Sequence, residues 1–542
     1  MSSPTNIAAY LSQLAAKQPS QPALLSPGGG LTFGELEERS NCCAQGLLQI
    51  GIHPGTRTVV MVTPGVEFLV LVFALMKINA VLVLVDPGMG WHNLGKCLAE
   101  SKPRAFIGLP QAQMARIFFG WGRRTVQICL TVGRFRPCRG YTLARVMQLG
   151  GDHPGFTPVP SLREDPAAIV FTSGSTGTPK GVVYTHGMFS SQVALLRDSF
   201  SIEAGEIDLA TFPLFALFDP ALGMTTVFPE MDFTRPAQVD PRQIITPIQK
   251  YKVTHMFASP ALLDRVARYG ERHDIKLPTL RRVLSAGAPV AAEVLRRFSG
   301  LLQEDAEIHT PYGATEALPV CSITSRELSE ANNTRQGQGV CVGRPLPGVH
   351  LSLIRIDDGP IQIWSDDLLV SPGEIGELVV WGSNVSREYF GRPEANDLAK
   401  IQGPEGEIRH RMGDLGFLDE GGRVWFCGRK SQRVITPQGT LFTVSCEGIF
   451  NQHPKVYRSA LVGVGHPPQQ KPVLCVELEE EEKKKGKVSP QLRKEILDLG
   501  APHPHTKEIQ TLLFHPSFPV DVRHNAKIFR EKLARWATEK VS

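Results

Sequence analysis

The sequence has little excess charge and no paired-cysteine motif. Its 58 lysines and arginines and 53 aspartates and glutamates leave a formal net charge of +5 over 542 residues. A charge this small for the length gives no argument for nucleic acid or a membrane surface as a partner. The ten cysteines contain no Cys-x-x-Cys pair, and the adjacent Cys42 and Cys43 are poorly placed for a disulfide. We therefore expect a reduced, cytoplasmic protein.

The sequence also lacks a signal-peptide pattern, internal repeats and an unbroken membrane-spanning run. Residues 1–9 show no basic region followed by an apolar one, so no signal peptide is expected. Residues 66–85 are almost wholly apolar, but Lys77 and Asn79 lie among them, and a charge there is costly in lipid. We predict a buried helix at 66–76 and a strand at 80–85 instead of a span. The charged run at 479–487 predicts a solvated surface.

Short β-branched runs alternate with helical stretches through the first half of the chain, which is typical of an α/β fold with largely parallel sheets. Strands are predicted at 58–62, 81–85, 105–107, 167–171, 255–257 and 282–284, and helices at 190–200 and 260–269. Later strands at 376–381 and 423–426, bounded by glycine and charge, indicate a smaller, more antiparallel subdomain. We place a domain boundary near Gly428, which divides the chain into residues 1–427 and 428–542.

One loop predicts binding of a polyphosphate. The stretch Ile169-Val-Phe-Thr-Ser-Gly-Ser-Thr-Gly-Thr-Pro-Lys-Gly-Val-Val183 leads from an apolar strand into closely spaced glycines, hydroxyls and a lysine. Glycines let the backbone approach phosphate, and successive N–H groups form an anion nest. It is not a Walker A loop, because Lys180 precedes Gly181 instead of Ser or Thr. The alternative interpretation is a flexible polar surface loop.

With this loop, several further stretches resemble, in order, the motifs of the adenylate-forming enzymes, which include acyl-CoA synthetases, peptide-synthetase adenylation domains and luciferases. They are Ser285-Ala-Gly-Ala-Pro289, Thr310-Pro-Tyr-Gly-Ala-Thr-Glu316, Arg411-Met-Gly-Asp-Leu-Gly416, the hinge Gly428-Arg429 and Asn525-Ala-Lys-Ile528. The resemblance spans roughly residues 20 to 535. It implies a large N-terminal domain of stacked, mostly parallel sheets with helices and a β-rich subdomain, and a small mobile α+β C-terminal lid. It also implies ATP and Mg²⁺.

The resemblance assigns the contacts to ATP residue by residue. Tyr312 would offer its ring to adenine, Asp414 would accept hydrogen bonds from the ribose hydroxyls, and Arg429 would reach the ribose or the phosphate. The other binding residues that it implies are Thr172, Ser173, Gly174, Ser175, Thr176, Gly177, Lys180, Gly287, Ala288, Pro289, Gly313 and Thr315. Without the resemblance, Tyr312 would be interpreted as a packing residue in a loop. Asp414 would be interpreted as the first residue of an Asx-turn.

The resemblance also implies the catalytic residues. Lys527 would stabilise the charge that develops on the α-phosphate when the carboxylate attacks. Thr315 would hydrogen-bond phosphate, and Glu316 would hold Mg²⁺, a hard cation that prefers oxygen ligands. Without the resemblance, Glu316 would be interpreted as a residue at a helix N-terminus. Lys527 would be interpreted as an ordinary surface lysine. His186, which follows the loop, is either a general base or a packing residue, and the sequence does not decide between these roles.

Three departures from the family pattern concern the acyl pocket, the hinge and an early strand end. Ala216 stands in Phe212-Pro-Leu-Phe-Ala216 where the family has histidine, and a smaller residue would leave room for a branched chain. In the hinge, Ser431 replaces an acidic residue and Pro437 stiffens the loop that admits coenzyme A. Leu84 stands where the family commonly has proline.

The same segments resemble one branch, the olefin β-lactone synthetases. They include 83–88, 215–223, 231–237, 410–414, 425–430 and 519–527. The resemblance implies adenylation of a 2-alkyl-3-hydroxy fatty acid, after which its β-hydroxyl expels AMP and closes a β-lactone. It implies a hydrolase-like enzyme and a reductase of olefin biosynthesis as partners. A fatty acyl-CoA or acyl-carrier ligase and an inactive adenylate-binding scaffold remain as alternatives.

Overall fold

The computed structural model describes residues 6–26, 29–151, 155–172, 179–334, 337–521 and 527–541. Within them the α-helices are α1 (Ala8–Lys17), α2 (Phe33–Gln49), α3 (Val66–Lys77), α4 (Trp91–Ser101), α5 (Pro110–Phe119), α6 (Leu143–Gly150), α7 (His186–Ser199), α8 (Asp219–Leu222), α9 (Arg242–Tyr251), α10 (Pro260–Arg272), α11 (Ala292–Ser299), α12 (Ser325–Thr334), α13 (Pro393–Ala399), α14 (Thr443–Phe450), α15 (Glu480–Lys483), α16 (Pro490–Gly500) and α17 (Arg530–Val541).

The strands of the same residues are short, and most belong to the first two-thirds of the chain. They are β1 (Pro22–Leu25), β2 (Leu31–Thr32), β3 (Arg57–Met61), β4 (Val81–Leu84), β5 (Ala105–Gly108), β6 (Ile128–Thr131), β7 (Tyr141–Thr142), β8 (Pro166–Phe171), β9 (Gly181–Thr185), β10 (Ile207–Ala210), β11 (Thr225–Val227), β12 (His255–Ala258), β13 (Arg282–Ser285), β14 (Glu307–His309), β15 (Tyr312–Ala314), β16 (Ala317–Ser322), β17 (Val340–Pro345), β18 (His350–Ile354), β19 (Gly376–Trp381), β20 (Lys400–Gln402), β21 (Ile408–Leu418), β22 (Val424–Arg429), β23 (Val434–Thr436), β24 (Gly439–Leu441), β25 (Val456–Val464), β26 (Lys471–Leu478) and β27 (Thr511–Phe514).

Two seven-stranded sheets form the N-terminal part, in the orders β7-β6-β5-β3-β4-β8-β9 and β14-β13-β12-β10-β11-β1-β2. Nearly all neighbours are parallel; β8–β9 and β1–β2 are antiparallel. Central strands such as β4 are buried along their whole length, because helices cover both faces of parallel sheets. One core cluster contains residues of both sheets and of α2, α3 and α7, so the predicted α/β class is confirmed.

A third, largely antiparallel sheet follows, in the order β15-β16-β17-β22-β21-β19-β18, with β20 beside β21. It confirms the predicted change to a β-rich subdomain. Strand β22 continues to Arg429, three residues beyond the predicted strand end. It therefore crosses the proposed boundary between residues 427 and 428, which stays a prediction. The remaining sheets, β23-β24 and β25-β26-β27, are built from residues after 433 and pack with α14, α16 and α17.

Side-chain caps determine where helices α2 and α7 begin. The Thr32 hydroxyl accepts from the Glu35 N–H while the Glu35 carboxylate accepts from the Thr32 N–H, which opens α2 with a capping box. The Thr185 hydroxyl accepts from the Met188 N–H and starts α7 at His186. This cap explains why α7 begins four residues before the predicted helix at 190–200.

The apolar helix α3 lies inside the protein, as predicted, and its lysine is fully buried. The Lys77 ammonium donates to a Glu37 carboxylate oxygen at 2.7 Å, to the Ser40 hydroxyl at 2.8 Å and to Asn41. Burial lowers the pKa of Lys77 to about 8. These partners satisfy a charge that would otherwise be costly in the core. No helix in the described segments is both long and apolar enough to cross a bilayer.

A buried ion-pair network joins the β-rich sheet to the start of the C-terminal region. Arg411 and Glu377 are each 1% exposed and lie 2.7 Å apart across β21 and β19. The Lys430 ammonium approaches the same Glu377 carboxylate oxygen at 2.9 Å. Removing Arg411 would leave the buried Glu377 carboxylate with Lys430 as its one remaining ion-pair partner among the described residues, and a buried charge with too few partners is destabilising.

We therefore expect Arg411→Leu to lower the free energy of unfolding by about 3–5 kcal/mol. Urea denaturation followed by tryptophan fluorescence measures the change. The control is Arg242→Leu, which breaks an exposed pair with Asp240 and should leave the midpoint almost unchanged. Equal shifts in the two variants would contradict a special role for the buried network.

Candidate active site

The structure pairs Asp414 with Arg429 across neighbouring strands. The register of β21 and β22 places these residues directly opposite each other, and the Arg429 Nε lies 3.0 Å from Asp414 Oδ1. The Tyr312 hydroxyl donates to Asp414 Oδ2 at 2.5 Å. Asp414 is 2% exposed, and burial raises its pKa while Arg429 and the Tyr312 hydrogen bond oppose the rise. Three residues predicted to contact the nucleotide thus form one cluster.

One oxygen of this cluster has no directed hydrogen bond. Although Arg429 Nε is close to Asp414 Oδ1, no described residue donates to that oxygen with hydrogen-bonding geometry. Arg429 instead donates through Nη1 to the Met412 carbonyl at 3.2 Å. A buried acceptor without a donor is unfavourable, so Oδ1 is suited to accept from a ligand.

Lys527 lies at the same cluster, although it is 113 residues away from Asp414 along the chain. Both residues line one cavity, and the Lys527 charge acts to lower the pKa of Asp414. The segment is held by an antiparallel bridge between Val520 and Ile528. Just beyond it, Arg530 pairs with the buried Glu447 at 2.6 Å. The C-terminal region therefore presents Lys527 to the residues of β21 and β22.

Glu316 belongs to a second cluster. The sequence predicted its members Glu316 and Lys180 but not Tyr389 and Lys400. The Tyr389 hydroxyl donates to Glu316 Oε1 at 2.7 Å. The Lys180 and Lys400 ammonium groups lie 4.8 Å and 5.4 Å from the centre of the Tyr389 ring, on which they make cation–π contacts. Burial lowers the pKa of Lys400 to about 7, and its ammonium donates to Ser386. Glu316, Tyr389 and Lys180 thus line one part of the cavity, and Lys400 is buried next to Tyr389.

The two ends of the predicted phosphate loop are held together by backbone hydrogen bonds. The Thr172 N–H donates to the Lys180 carbonyl at 3.0 Å, and Phe171 pairs with Gly181 in the β8–β9 ladder. Residues Ser173, Gly174, Ser175, Thr176 and Gly177 lie outside the described residues. The Phe390 N–H donates to the Gly181 carbonyl at 2.7 Å, which brings the Tyr389 segment against the loop base.

The predicted adenine-contacting loop lines the same cavity through Gly287, Ala288 and Pro289. Gly287 has a φ of +93°, which favours glycine because other residues are strained there. The Ser285 hydroxyl, at the end of β13, is buried, and no partner among the described residues bonds to it. Gly313 also requires glycine, since a Cβ there would lie 2.7 Å from the Ala317 carbonyl oxygen.

Thr315 and Tyr184 meet at the centre of the cavity wall. The Tyr184 hydroxyl donates to the Thr315 carbonyl at 2.7 Å, which fixes the turn between β15 and β16. Thr315, Glu316 and Tyr184 all line the cavity. The predicted phosphate ligand Thr315 is therefore placed with Glu316, between the two clusters.

The cavity has a volume of about 2790 Å³ and extends from these clusters into an apolar pocket. Phe215 and Phe257 stack there with ring centres 4.0 Å apart, and Phe212, Phe218 and other apolar side chains continue the wall. Ala216 is fully buried and is not one of the lining residues described. Its neighbours Phe215 and Leu217 face the pocket instead, so the expected extra room at Ala216 does not arise directly.

His186 lies away from this chemistry. It is fully buried at the start of α7 and is absent from the described lining of the cavity. Its Nε2 lies 3.0 Å from Asn79 Oδ1, and its Nδ1 lies 3.4 Å from the Ile7 N–H. These partners fit a neutral ring that donates through Nε2 and accepts through Nδ1. Burial lowers the pKa of His186 to about 4. Of the two roles considered, this geometry favours packing.

The structure thus gathers Tyr312, Asp414, Arg429 and Lys527 into one cluster and places Thr315, Glu316 and Lys180 beside it. Tyr389 and Lys400 join the site through contacts with residues 73 positions or more away, such as Glu316. No local spacing in the sequence reveals such a contact.

Comparison with known proteins finds relatives that match almost the whole chain. An olefin beta-lactone synthetase of Xanthomonas campestris pv. campestris is 47% identical over 98% of this chain and 98% of its own length. A protein of the same name from Stenotrophomonas maltophilia is 46% identical, with 99% of each chain covered.

Solved structures share the fold at lower identity. The amide bond synthetase McbA of Marinactinospora thermotolerans has a TM-score of 0.81 at 22% identity and covers 98% of this chain and 99% of its own. The anthranilate CoA ligase AuaEII, in complex with anthranoyl-AMP, has a TM-score of 0.80 at 19% identity and covers 100% and 98%. Residues 11–390 match the AMP-binding enzyme family. With that match and near-half identity to its relatives over the whole chain, the protein belongs to the family of AMP-binding enzymes.

Proposed function

We propose that this protein activates a 2-alkyl-3-hydroxy fatty acid with ATP and closes it to a β-lactone, as a ligase of olefin biosynthesis in lipid metabolism. The observation that carries the proposal is the 47% identity, over 98% of the chain, to an olefin beta-lactone synthetase. The cavity supports it, because one space contains both a charged cluster and an aromatic, apolar pocket.

The charged cluster fits a nucleotide. Asp414 Oδ1 is a buried acceptor that lacks a directed donor among the described residues, and ribose hydroxyls supply such donors. Tyr312 is anchored by its hydroxyl to Asp414, so its ring face is held in a fixed orientation for adenine. Arg429 lies beside both and offers positive charge to the ribose or the phosphate.

Glu316 fits Mg²⁺ as a single protein ligand. The described residues contain no cluster of three or more metal-ligating side chains, and Mg²⁺ bound with nucleotide commonly takes one or two carboxylates, phosphate oxygens and water. The hydrogen bond from Tyr389 engages Oε1 and leaves Oε2 for the metal. When bound, Mg²⁺ would neutralise phosphate charge. Lys180 would add positive charge from the loop base.

In the first step, a carboxylate oxygen of the fatty acid attacks the α-phosphorus, and the bond to pyrophosphate breaks. Negative charge develops on the non-bridging oxygens, and Lys527 would stabilise it from its position near Asp414. Thr315 would hydrogen-bond the phosphate from the wall between the two clusters. A charge fixed before the reaction lowers the barrier because it needs no reorganisation.

In the second step, the β-hydroxyl oxygen attacks the acyl carbon, the bond from that carbon to the AMP oxygen breaks, and the hydroxyl proton leaves with the AMP phosphate. The nucleophile is tethered to its electrophile, so no second substrate must be bound and oriented. The phenylalanines of the apolar pocket exclude water from the mixed anhydride. The high-energy anhydride offsets the strain of the four-membered ring.

We also propose that the protein works in the cytoplasm beside a hydrolase-like enzyme and a reductase of the same pathway. All ten cysteines are free thiols, which is consistent with a reducing compartment.

Product analysis distinguishes lactone formation from thioester formation. With ATP, Mg²⁺ and a 2-alkyl-3-hydroxy fatty acid, we expect mass spectrometry to find a product lighter than the acid by one water, without coenzyme A. A coenzyme A thioester, with no lactone in its absence, would overturn the proposal in favour of an acyl ligase. Absence of pyrophosphate release would favour an inactive scaffold.

Lys527→Ala should slow adenylation more than ~100-fold, because one preorganised electrostatic group contributes on that scale. The measurement is ATP–pyrophosphate exchange dependent on the acid. Lys532→Ala is the matched control, since Lys532 is an exposed lysine five residues further on that lies over the Phe529 ring. Near-normal exchange in the Lys527 variant would show that the lysine is wrongly assigned.

The variant His186→Gln tests the packing role of His186 through the pH dependence of stability as well as through activity. With a pKa of about 4 in the fold and about 6.5 in the unfolded chain, His186 takes up a proton only on unfolding in this window. Because of this proton uptake, His186 lowers the free energy of unfolding as the pH drops from about 6.5 to about 4.

We expect a shallower fall of the unfolding midpoint in His186→Gln over this pH window, and exchange activity close to wild type at neutral pH. Another buried histidine, His255, has a similarly lowered pKa, so part of the fall remains. A loss of activity by about 100-fold or more with unchanged pH dependence of stability would instead establish a general base.

A further inference from the structure

Helix α5 turns an apolar face to solvent. Met114, Ile117 and Phe118 are 55%, 52% and 83% exposed, and Phe119 is 47% exposed. The first three positions share one helix face by their spacing of three and four residues. Single exposed apolar residues are common, but a contiguous group of them marks an interaction site.

A stack of aromatic rings extends this face. Trp91, at the start of α4, lies with its ring centre 5.5 Å from that of Phe119 and 5.8 Å from that of Trp121. Phe118 meets Phe119 edge-on at 5.0 Å. Trp91 is 59% exposed although its ring is stacked. We call Trp91, Met114, Ile117, Phe118 and Phe119 the α5 surface.

The residues of the α5 surface that belong to α5 lie in a strongly basic segment of the chain. Between Glu100 and Asp152 the sequence holds nine lysines and arginines and no acidic residue. The remainder of the chain has 49 basic and 53 acidic residues. The net charge of +5 thus conceals a strongly positive segment on an otherwise slightly negative chain.

Exposed arginines flank both ends of α5. Arg123 and Arg124 are exposed and lie four and five residues after its last residue, Phe119. The exposed Arg134, Phe135 and Arg136 belong to the loop after β6. This loop lies against the start of α5, because the Cys138 thiol donates to Gln113 Oε1 at 3.6 Å. The apolar face is therefore bordered by positive charge on two sides.

The α5 surface is continuous with the reaction cavity. Trp91 and Trp121 line the cavity, as do Ala112 and Ala115 on α5. The helix thus separates solvent from the cavity with one face towards each. A fatty acid with two alkyl chains resides in membranes and not in water, so an entrance beside a lipid-facing helix suits the substrate proposed above.

We propose that the α5 surface docks the protein on an anionic phospholipid bilayer. An interfacial helix buries its apolar face at the boundary of headgroups and acyl chains, and tryptophan favours the same depth. The flanking arginines contact lipid phosphates, and their aliphatic stems cover apolar surface.

Charge favours lipid over a second copy of this chain. In a two-fold symmetric dimer through this surface, the same basic segments of two copies would face each other, and like charges would repel. Anionic headgroups present negative charge across the whole surface, which matches a segment with no carboxylate of its own. Docking does not depend on the proposed reaction and can be measured without it.

Flotation of the full-length protein with lipid vesicles tests the proposal. We expect binding to vesicles of phosphatidylcholine with phosphatidylglycerol, weak binding to phosphatidylcholine alone, and release at high salt. Phe118→Asp and the double variant Arg123→Glu/Arg124→Glu should each weaken binding about tenfold or more. The controls are Ile363→Asp, at another exposed apolar residue, and Lys484→Glu/Lys487→Glu, which changes the net charge equally at exposed lysines.

Three outcomes would overturn the proposal. The wild-type protein could stay unbound at every lipid composition, or the α5 variants could bind as well as their controls. Alternatively, Phe118→Asp could abolish self-association in sedimentation while vesicles bind nothing, which would make the surface a protein interface. Far-UV circular dichroism verifies, independently of the reaction, that each variant is folded. If no protein shows exchange but vesicle binding follows the expected pattern, the proposed reaction fails and the docking surface stands.

Discussion

The carboxylate of Asp414 is almost completely buried, and the rest of the site is arranged around the groups that keep it charged and paired. A buried carboxylate is costly unless positive charge and hydrogen bonds compensate for its lost hydration. Arg429 on the next strand and Tyr312 from β15 provide them. Because both partners come from other strands, the pairing requires the register of β21 and β22 and the position of β15. The cluster of Asp414, Arg429 and Tyr312 therefore depends on the whole β-rich sheet.

The same strands carry the connection to the C-terminal region. Glu377 pairs with Arg411, three residues before Asp414, and also with Lys430, which directly follows Arg429. Arg433 adds a pair with Asp358. Where the chain leaves the β-rich sheet after β22, these ion pairs hold it next to Asp414 and Arg429. This arrangement explains how Lys527, far along the chain, reaches a cavity built mainly by the N-terminal sheets.

The distribution of charge matters more here than its total. A net charge of +5 argues against a membrane surface only if the charges are evenly spread. The segment between Glu100 and Asp152 is basic throughout and surrounds an exposed apolar helix, while the rest of the chain is slightly acidic. The same cavity contains an apolar pocket lined by stacked phenylalanines. The basic segment and this pocket would act together if the substrate is the fatty acid proposed above.

The sequence by itself determined the α/β class, the change to an antiparallel sheet and the positions of eight of the 27 strands described. These features depend on local periodicity and on residues close together in the chain. Only the tertiary structure decided which side chains meet: Tyr389 and Lys400 join Glu316, and His186 packs against Asn79, while Ala216 is buried and does not line the cavity. The structure also decided that the apolar face of α5 lies outside. Such outcomes depend on strand register and on contacts between residues far apart in sequence, where no local pattern carries the information.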